Sequence, residues 1–181
     1  MMHDFQTSLW HPIERGPMIF GLELPGDEHE PMILRFRNPL GTLAQLESEG
    51  GCWTFKRIGV WQPSLSIRDN CGDRDYGVYR RIPGLYTGGI STIDSRRYRV
   101  IERMPNAGVD ILNEAGEFVV SARPAERRLF CRVETSRSMS EFGDDAWLIG
   151  FAWYVMLLSF QDAQESQTSR MALSASRFSI S

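Results

Sequence analysis

The chain has 181 residues, 42% hydrophobic and 24% charged, which is the size and make-up of one globular domain with a core large enough to need no staple. Its formal net charge of -3 gives no general attraction to nucleic acid or to an anionic membrane, so no nucleic-acid partner is expected and any anion contact has to come from a local basic patch. Lys56 is the single lysine, so the positive charge is carried by arginine.

Residues 1–17 show no regular period and are read as an irregular arm in which Trp10 and Pro12 serve as anchors. From residue 18 onward, short β-prone runs alternate with turn residues at the spacing of an all-β sandwich or barrel. The runs are 18–24, 32–37, 42–47, 52–57, 64–68, 76–80, 85–92, 98–103, 108–112, 117–122 and 128–133. Alternation is clean in Met32-Ile33-Leu34-Arg35-Phe36-Arg37, where Leu34 and Phe36 face one way and Arg35 and Arg37 the other. In Tyr98-Arg99-Val100-Ile101-Glu102-Arg103 it begins well and then blurs. Pro25-Gly26, Asn70-Cys71-Gly72-Asp73, Pro83-Gly84 and Asn113-Glu114-Ala115-Gly116 supply turn chemistry between the runs.

The pattern changes at residues 146–161, where Ala146 to Phe160 is apolar on every helical face. Such a helix has to be surrounded on every face. Asp145 is its expected N-cap. Fifteen helical residues rise about 22 Å, short of the roughly 30 Å of a bilayer core, and the flanks are acidic, so burial in protein is favoured over a transmembrane span. Residues 164–181 are serine-rich and read as a mobile tail, leaving 18–163 as the domain.

The chemistry-bearing residues are sparse. Cys52, Cys71 and Cys131 are odd in number and form no Cys-x-x-Cys pair, so no disulfide framework or zinc site is expected. With no basic and apolar leader at the N terminus, the expectation is a reducing cytoplasm. His3, His11 and His29 are confined to the first 29 residues, and no nucleophile elbow, Walker loop or His-Glu-x-x-His occurs, so no catalytic residue, metal or cofactor is assigned. Asp69 to Asp75 is the densest acidic stretch, but its spacing is not that of a calcium loop and it reads as a turn. Arginine clusters at Arg80 and Arg81, at Arg96, Arg97 and Arg99, and at Arg127 and Arg128 are candidate anion contacts if neighbouring strands bring them together. Trp53, Trp61, Trp147 and Trp153 are read as core.

A series of β-hairpins followed by one apolar helix is an unusual order of elements. With Gly51-Cys52-Trp53-Thr54-Phe55-Lys56-Arg57-Ile58-Gly59, Arg97-Tyr98-Arg99-Val100 and Trp147 to Phe160 ending in Gln161-Asp162-Ala163, it resembles the tubby-like superfamily. That group includes tubby C-terminal domains, LURP-one-related proteins and phospholipid scramblases, and the likeness is to its small bacterial members. The resemblance implies a closed antiparallel β-barrel of about twelve strands around one central hydrophobic helix. With the missing catalytic motifs it points to a non-enzymatic module that binds anionic phospholipid headgroups or a protein partner through its outer surface; the resemblance itself assigns no site, and Arg80, Arg81, Arg96, Arg97 and Arg99 are the anion-binding candidates read from the charge clusters. A small barrel enzyme or ligand carrier with a pocket at one mouth is the alternative.

Overall fold

The computed structural model describes residues 6–13, 19–23, 31–38, 41–59, 64–82, 85–103, 108–125, 130–137 and 139–178, with the backbone alone at Glu23, Asn70, Met139, Ser140 and 164–178. The strands are β1 (Gln6–Pro12), β2 (Ile19–Glu23), β3 (Met32–Phe36), β4 (Leu43–Ser48), β5 (Gly51–Ile58) and β6 (Ser64–Asp69). They continue as β7 (Arg74–Arg81), β8 (Thr87–Thr92), β9 (Arg97–Arg103), β10 (Gly108–Leu112), β11 (Phe118–Pro124) and β12 (Cys131–Thr135). A short helix α1 (Met139–Phe142) and a 3-10 turn (Gly143–Asp145) lead into α2 (Trp147–Phe178).

Each strand pairs antiparallel with its neighbours in sequence, and β1 pairs with β12 to close a barrel of twelve strands. Every run expected from the sequence is a strand. The twelfth lies in the arm read as irregular, whose Trp10 sits opposite Cys131 on one side and Leu22 on the other. Its alternation was hidden because Thr7, Ser8, Leu9 and His11 do not contrast in polarity as β3 does. Full closure removes the sheet edges that would otherwise invite pairing with other chains.

The barrel is filled by α2. Trp147 to Leu158 are buried on all sides, so the apolar segment is enclosed by the strands. The stretch Gly143–Ala163 is long and apolar enough to cross a membrane, and here the barrel wall takes the place of lipid around it. Phe55 meets Phe151 edge-on with centroids 5.4 Å apart, and Phe20 meets Trp153 the same way at 5.5 Å. Such pairs add about 0.5–1.5 kcal/mol each beyond the area they bury. Gly150 is required where the helix crosses β4, since a Cβ there would lie 2.6 Å from the Leu46 side chain. Gly88 has the same role on the inner wall, where a Cβ would fall 2.4 Å from the Tyr79 ring.

Three expectations are corrected. Helix α2 does not stop near residue 161 but runs on to Phe178, through the stretch read as a mobile tail; Glu165, Gln167 and Ala172 are adequate helix formers, and serine is only mildly unfavourable. Asp145 spends its carboxylate on Arg96 of the β8–β9 turn and Arg137 just after β12 instead of capping the helix. Cys52 and Cys71 form a disulfide, with Cα atoms 4.9 Å apart. The turn at Asn70–Gly72 folds over the start of β5, bringing together two cysteines 19 residues apart that no local spacing rule connects. The expectation of a reducing compartment rested in part on the absence of a disulfide framework, and that part of its basis is removed. Cys131 is free and buried.

Candidate surface site on the outer face of the barrel

Alternate strands run in opposite directions, so the barrel has two distinct mouths. The strand ends at Ser48, Asp69, Thr92, Leu112 and Thr135 surround the start of α2, and those at Pro12, Phe36, Ile58, Arg81, Arg103 and Pro124 surround its exit. An inner polar latch ties the helix to the wall at each mouth.

At the helix-exit mouth the latch centres on Glu102, which points inward from β9 and is 4% exposed. Its carboxylate accepts from Tyr79 Oη (2.8 Å), Arg81 Nε (2.8 Å) and the Ser159 hydroxyl of α2 (2.7 Å), and a terminal Arg81 nitrogen completes a bidentate pair. Asp162 on the next helical turn takes Arg57 at 2.8 Å and Arg81 at 3.5 Å. Burial, with the Glu102 carboxylate beside it, pushes the Tyr79 phenol well above its ordinary value, so it remains a donor. Desolvation works against the Arg81 charge, but the bond to Glu102 outweighs it and the guanidinium is held charged. The blurring of alternation in β9 has this origin: Glu102 continues the inner row and Ile101 the outer one, reversing the usual polarity.

At the helix-start mouth Arg96 joins Asp94 (2.7 Å), Asp145 and the Tyr76 hydroxyl, and Tyr98 donates to Asp145 at 3.0 Å. Arg137 approaches Asp145 at 3.7 Å and lies over the Phe142 ring. Hydrogen bonds from Arg96 and Thr92 lower the Asp94 carboxyl to about 2.

The arginine candidates therefore separate. Arg81 turns inward to Glu102, and Arg96 is committed to the helix-start latch. Arg80, Arg97 and Arg99 are exposed and make no ion pair with another of the described residues. Registers Arg80↔Gly89 and Gly89↔Arg99 place Arg80 and Arg99 on one outer row with a side-chain-free residue between them. Two strand spacings set them about 9–10 Å apart. Arg97 stands two residues along β9 on the same face. Arg127 and Arg128 lie outside the described residues, as do Trp61, Pro25-Gly26 and Pro83-Gly84.

The same face holds residues that the sequence did not single out. Lys56 is exposed on β5 and shares an outer row with Ser66, Val78, Ser91 and Arg97. The small side chains at Ser66 and Ser91 floor a shallow trough of about 510 Å³ bounded by Lys56, Ile58 and Ile93. Small outward residues between cations are visible in the sequence only after the register is known. Among the described residues no acid pairs with the row: Arg68 takes Asp75 at 2.7 Å, and Glu102, Asp110 and Asp162 are each held by arginine. A second, open cleft of about 770 Å³ lies at the helix-start mouth, lined by Arg96, Arg97, Tyr98, Glu117, Phe118 and Arg137 among others. Among the described residues, no three histidine, cysteine or carboxylate side chains come together as metal ligands, and Asp69–Asp75 forms the β6–β7 turn.

Comparison with protein-family models, with curated proteins and with solved structures finds no match to this chain.

Proposed function

We propose that this barrel is a non-enzymatic binding module that docks on anionic phospholipid surfaces through the outer face of β5–β9. The observation that carries the reading is the set of exposed cations that pair with no acid among the described residues, Lys56, Arg80, Arg97 and Arg99, on the β5–β9 sector of a chain whose net charge is negative. Unpaired like charges about 10 Å apart repel one another, and a surface dense in phosphate relieves that repulsion. The tubby-like resemblance of Gly51 to Gly59, Arg97 to Val100 and the central helix points the same way. A protein with an acidic face is the competing partner for this surface.

The test is sedimentation of the full chain with phosphatidylcholine vesicles, with and without phosphatidylserine, over a range of salt. Wild type is expected to sediment only with the anionic vesicles and to be released progressively by salt. Each basic residue near an anionic surface contributes about 1 kcal/mol, so the double variant Arg80→Glu, Arg99→Glu is expected to bind at least tenfold more weakly with its fold unchanged. Equal binding by wild type and variant, or no binding by wild type, overturns the reading.

A ligand-carrier reading rests on the cleft at the helix-start mouth. It ranks second because most of the charge lining that cleft is spent internally, Arg96 and Arg137 on Asp145 and Glu117 on Asn113.

A further inference from the structure

The exposed apolar side chains are distributed as unevenly as the charge. Ile58 ends β5 (48% exposed), and Ile82 (48%), Leu85 (55%) and Tyr86 (55%) belong to the β7–β8 connection, so all four lie at the helix-exit mouth. Ile13 is at the same mouth, and among the described residues Ile93 alone of this class is at the other. Ile58 and the β7–β8 connection are close neighbours: Ile58 pairs with Ser64, and Ser64 with Arg80, two residues before Ile82. The connection is held in shape by backbone bonds from Ile82 to Thr87 (2.8 Å), from Leu85 to Ile82 (3.1 Å) and from Glu102 to Tyr86 (2.8 Å). Ile82, Leu85 and Tyr86 are thus braced through their backbones while their large side chains remain in water. Behind it, on the same sector of the wall, stand Arg80 and Arg99.

We infer that Ile58, Ile82, Leu85 and Tyr86 are an insertion tip that enters the interfacial region of an anionic bilayer while the arginines behind it meet the headgroups. The inference rests on the anionic-surface reading above and adds the orientation and the apolar contribution. Its occupant follows from charge complementarity: an aliphatic and aromatic tip rimmed by unpaired cations matches a layer that is apolar below and anionic above. Tyrosine suits this depth, with its ring in the apolar layer and its hydroxyl in the wet one. Only the β5–β9 sector is engaged, so the barrel lies tilted and the continuation of α2 through the exit mouth is not obstructed.

A site-specific label tests this in the intact protein. Cys52 and Cys71 are bonded to each other and Cys131 is enclosed, its thiol pushed up by burial, so a cysteine placed on the surface is the one reactive thiol. Leu85→Cys carrying an environment-sensitive fluorophore is compared with Glu114→Cys, exposed at the opposite mouth. With phosphatidylserine-containing vesicles the label at 85 is expected to shift to the blue and to be quenched by brominated acyl chains, while the label at 114 does neither. Separately, Leu85→Ser with Tyr86→Ser is expected to bind about tenfold more weakly and to be released fully by salt, with an unchanged circular dichroism spectrum. If the protein sediments with anionic vesicles but the label at 85 is no more quenched than that at 114, insertion is overturned and surface attraction alone stands. If nothing sediments, both readings fall.

Discussion

At the helix-start mouth, Asp145 of the lead-in turn meets Arg96 and Arg137; at the helix-exit mouth, Asp162 and Ser159 meet Arg57, Arg81 and Glu102. Both ends thus fix a helix that is apolar throughout with charged pairs between helix and wall, the only polar handles such a helix leaves available. The surroundings then diverge. Around the start of α2 the exposed groups are largely acidic, among them Glu49, Asp73, Asp75, Asp94, Glu114 and Asp144, and in the cleft there Arg96 and Arg137 are taken by Asp145 while Arg97 stands opposite this acidic surround. Among the described residues around the exit, Glu102 and Asp162 are consumed by the latch, while Arg37, Lys56 and Arg80 are exposed and make no ion pair, beside apolar tips. Similar latches at both ends therefore leave one mouth mainly acidic and the other mainly basic and apolar.

Removing the latches measures how alike they are. Glu102→Ala deletes an almost fully buried carboxylate with three partners and leaves Arg81 with Asp162 at 3.5 Å as its remaining counter-charge. The expected cost is about 3–5 kcal/mol in denaturant unfolding, as for other broken buried pairs. At the start mouth the largest constraint is covalent. The loop closed by Cys52 and Cys71 is short, so Cys52→Ser is expected to lower stability by about 3 kcal/mol relative to the oxidised protein, with added reductant bringing wild type to the same midpoint. If Glu102→Ala costs less than Cys52→Ser, the exit latch is a surface feature rather than the buried one described, and the contrast between the mouths has to be redrawn. An unchanged wild-type midpoint in reductant would show that the bond contributes nothing.

The sequence made the barrel legible for a physical reason. Hairpins with turn residues at close intervals, then one segment apolar on every face, admit few arrangements other than a wall and a filling. It concealed whatever depends on register. Arg81 and Arg80 are adjacent in sequence, yet one faces Glu102 inside the wall and the other faces solvent, and only pleat parity decides which. Arg96 read as part of a cluster with Arg97 and Arg99, but it sits in the β8–β9 turn, where Asp94 and Asp145 claim it. The Arg80–Gly89–Arg99 row joins three strands and corresponds to no local motif. The disulfide was hidden in the same way, because a turn folding over a neighbouring strand brings its cysteines together. Glu102 was hidden by its chemistry, since a charged residue in an alternating strand is ordinarily assigned to the outside.

The smallest effect expected concerns acid, and it also distinguishes the two mouths. Asp110 lies on β10 between Arg103 (2.6 Å) and Arg123, with its side chain 7% exposed. Burial alone would raise its carboxyl, but the hydrogen bonds from the two arginines outweigh it, and the group sits below the usual carboxylate range. A carboxyl depressed in the folded state contributes stability that is fully present above its ordinary value of about 3.9 and is lost as pH falls through the depressed one. Stability is therefore expected to be flat between about pH 5 and 8 and to decline below about pH 4. Asp110→Asn is expected to cost about 1–2 kcal/mol at neutral pH and to flatten that decline. Asp94 at the start mouth is also depressed, but its side chain is 42% exposed and screened by water, so Asp94→Asn is expected to leave the acid limb nearly unchanged. If Asp94→Asn flattens the limb and Asp110→Asn does not, the buried triad on the wall is not the group that couples this fold to pH.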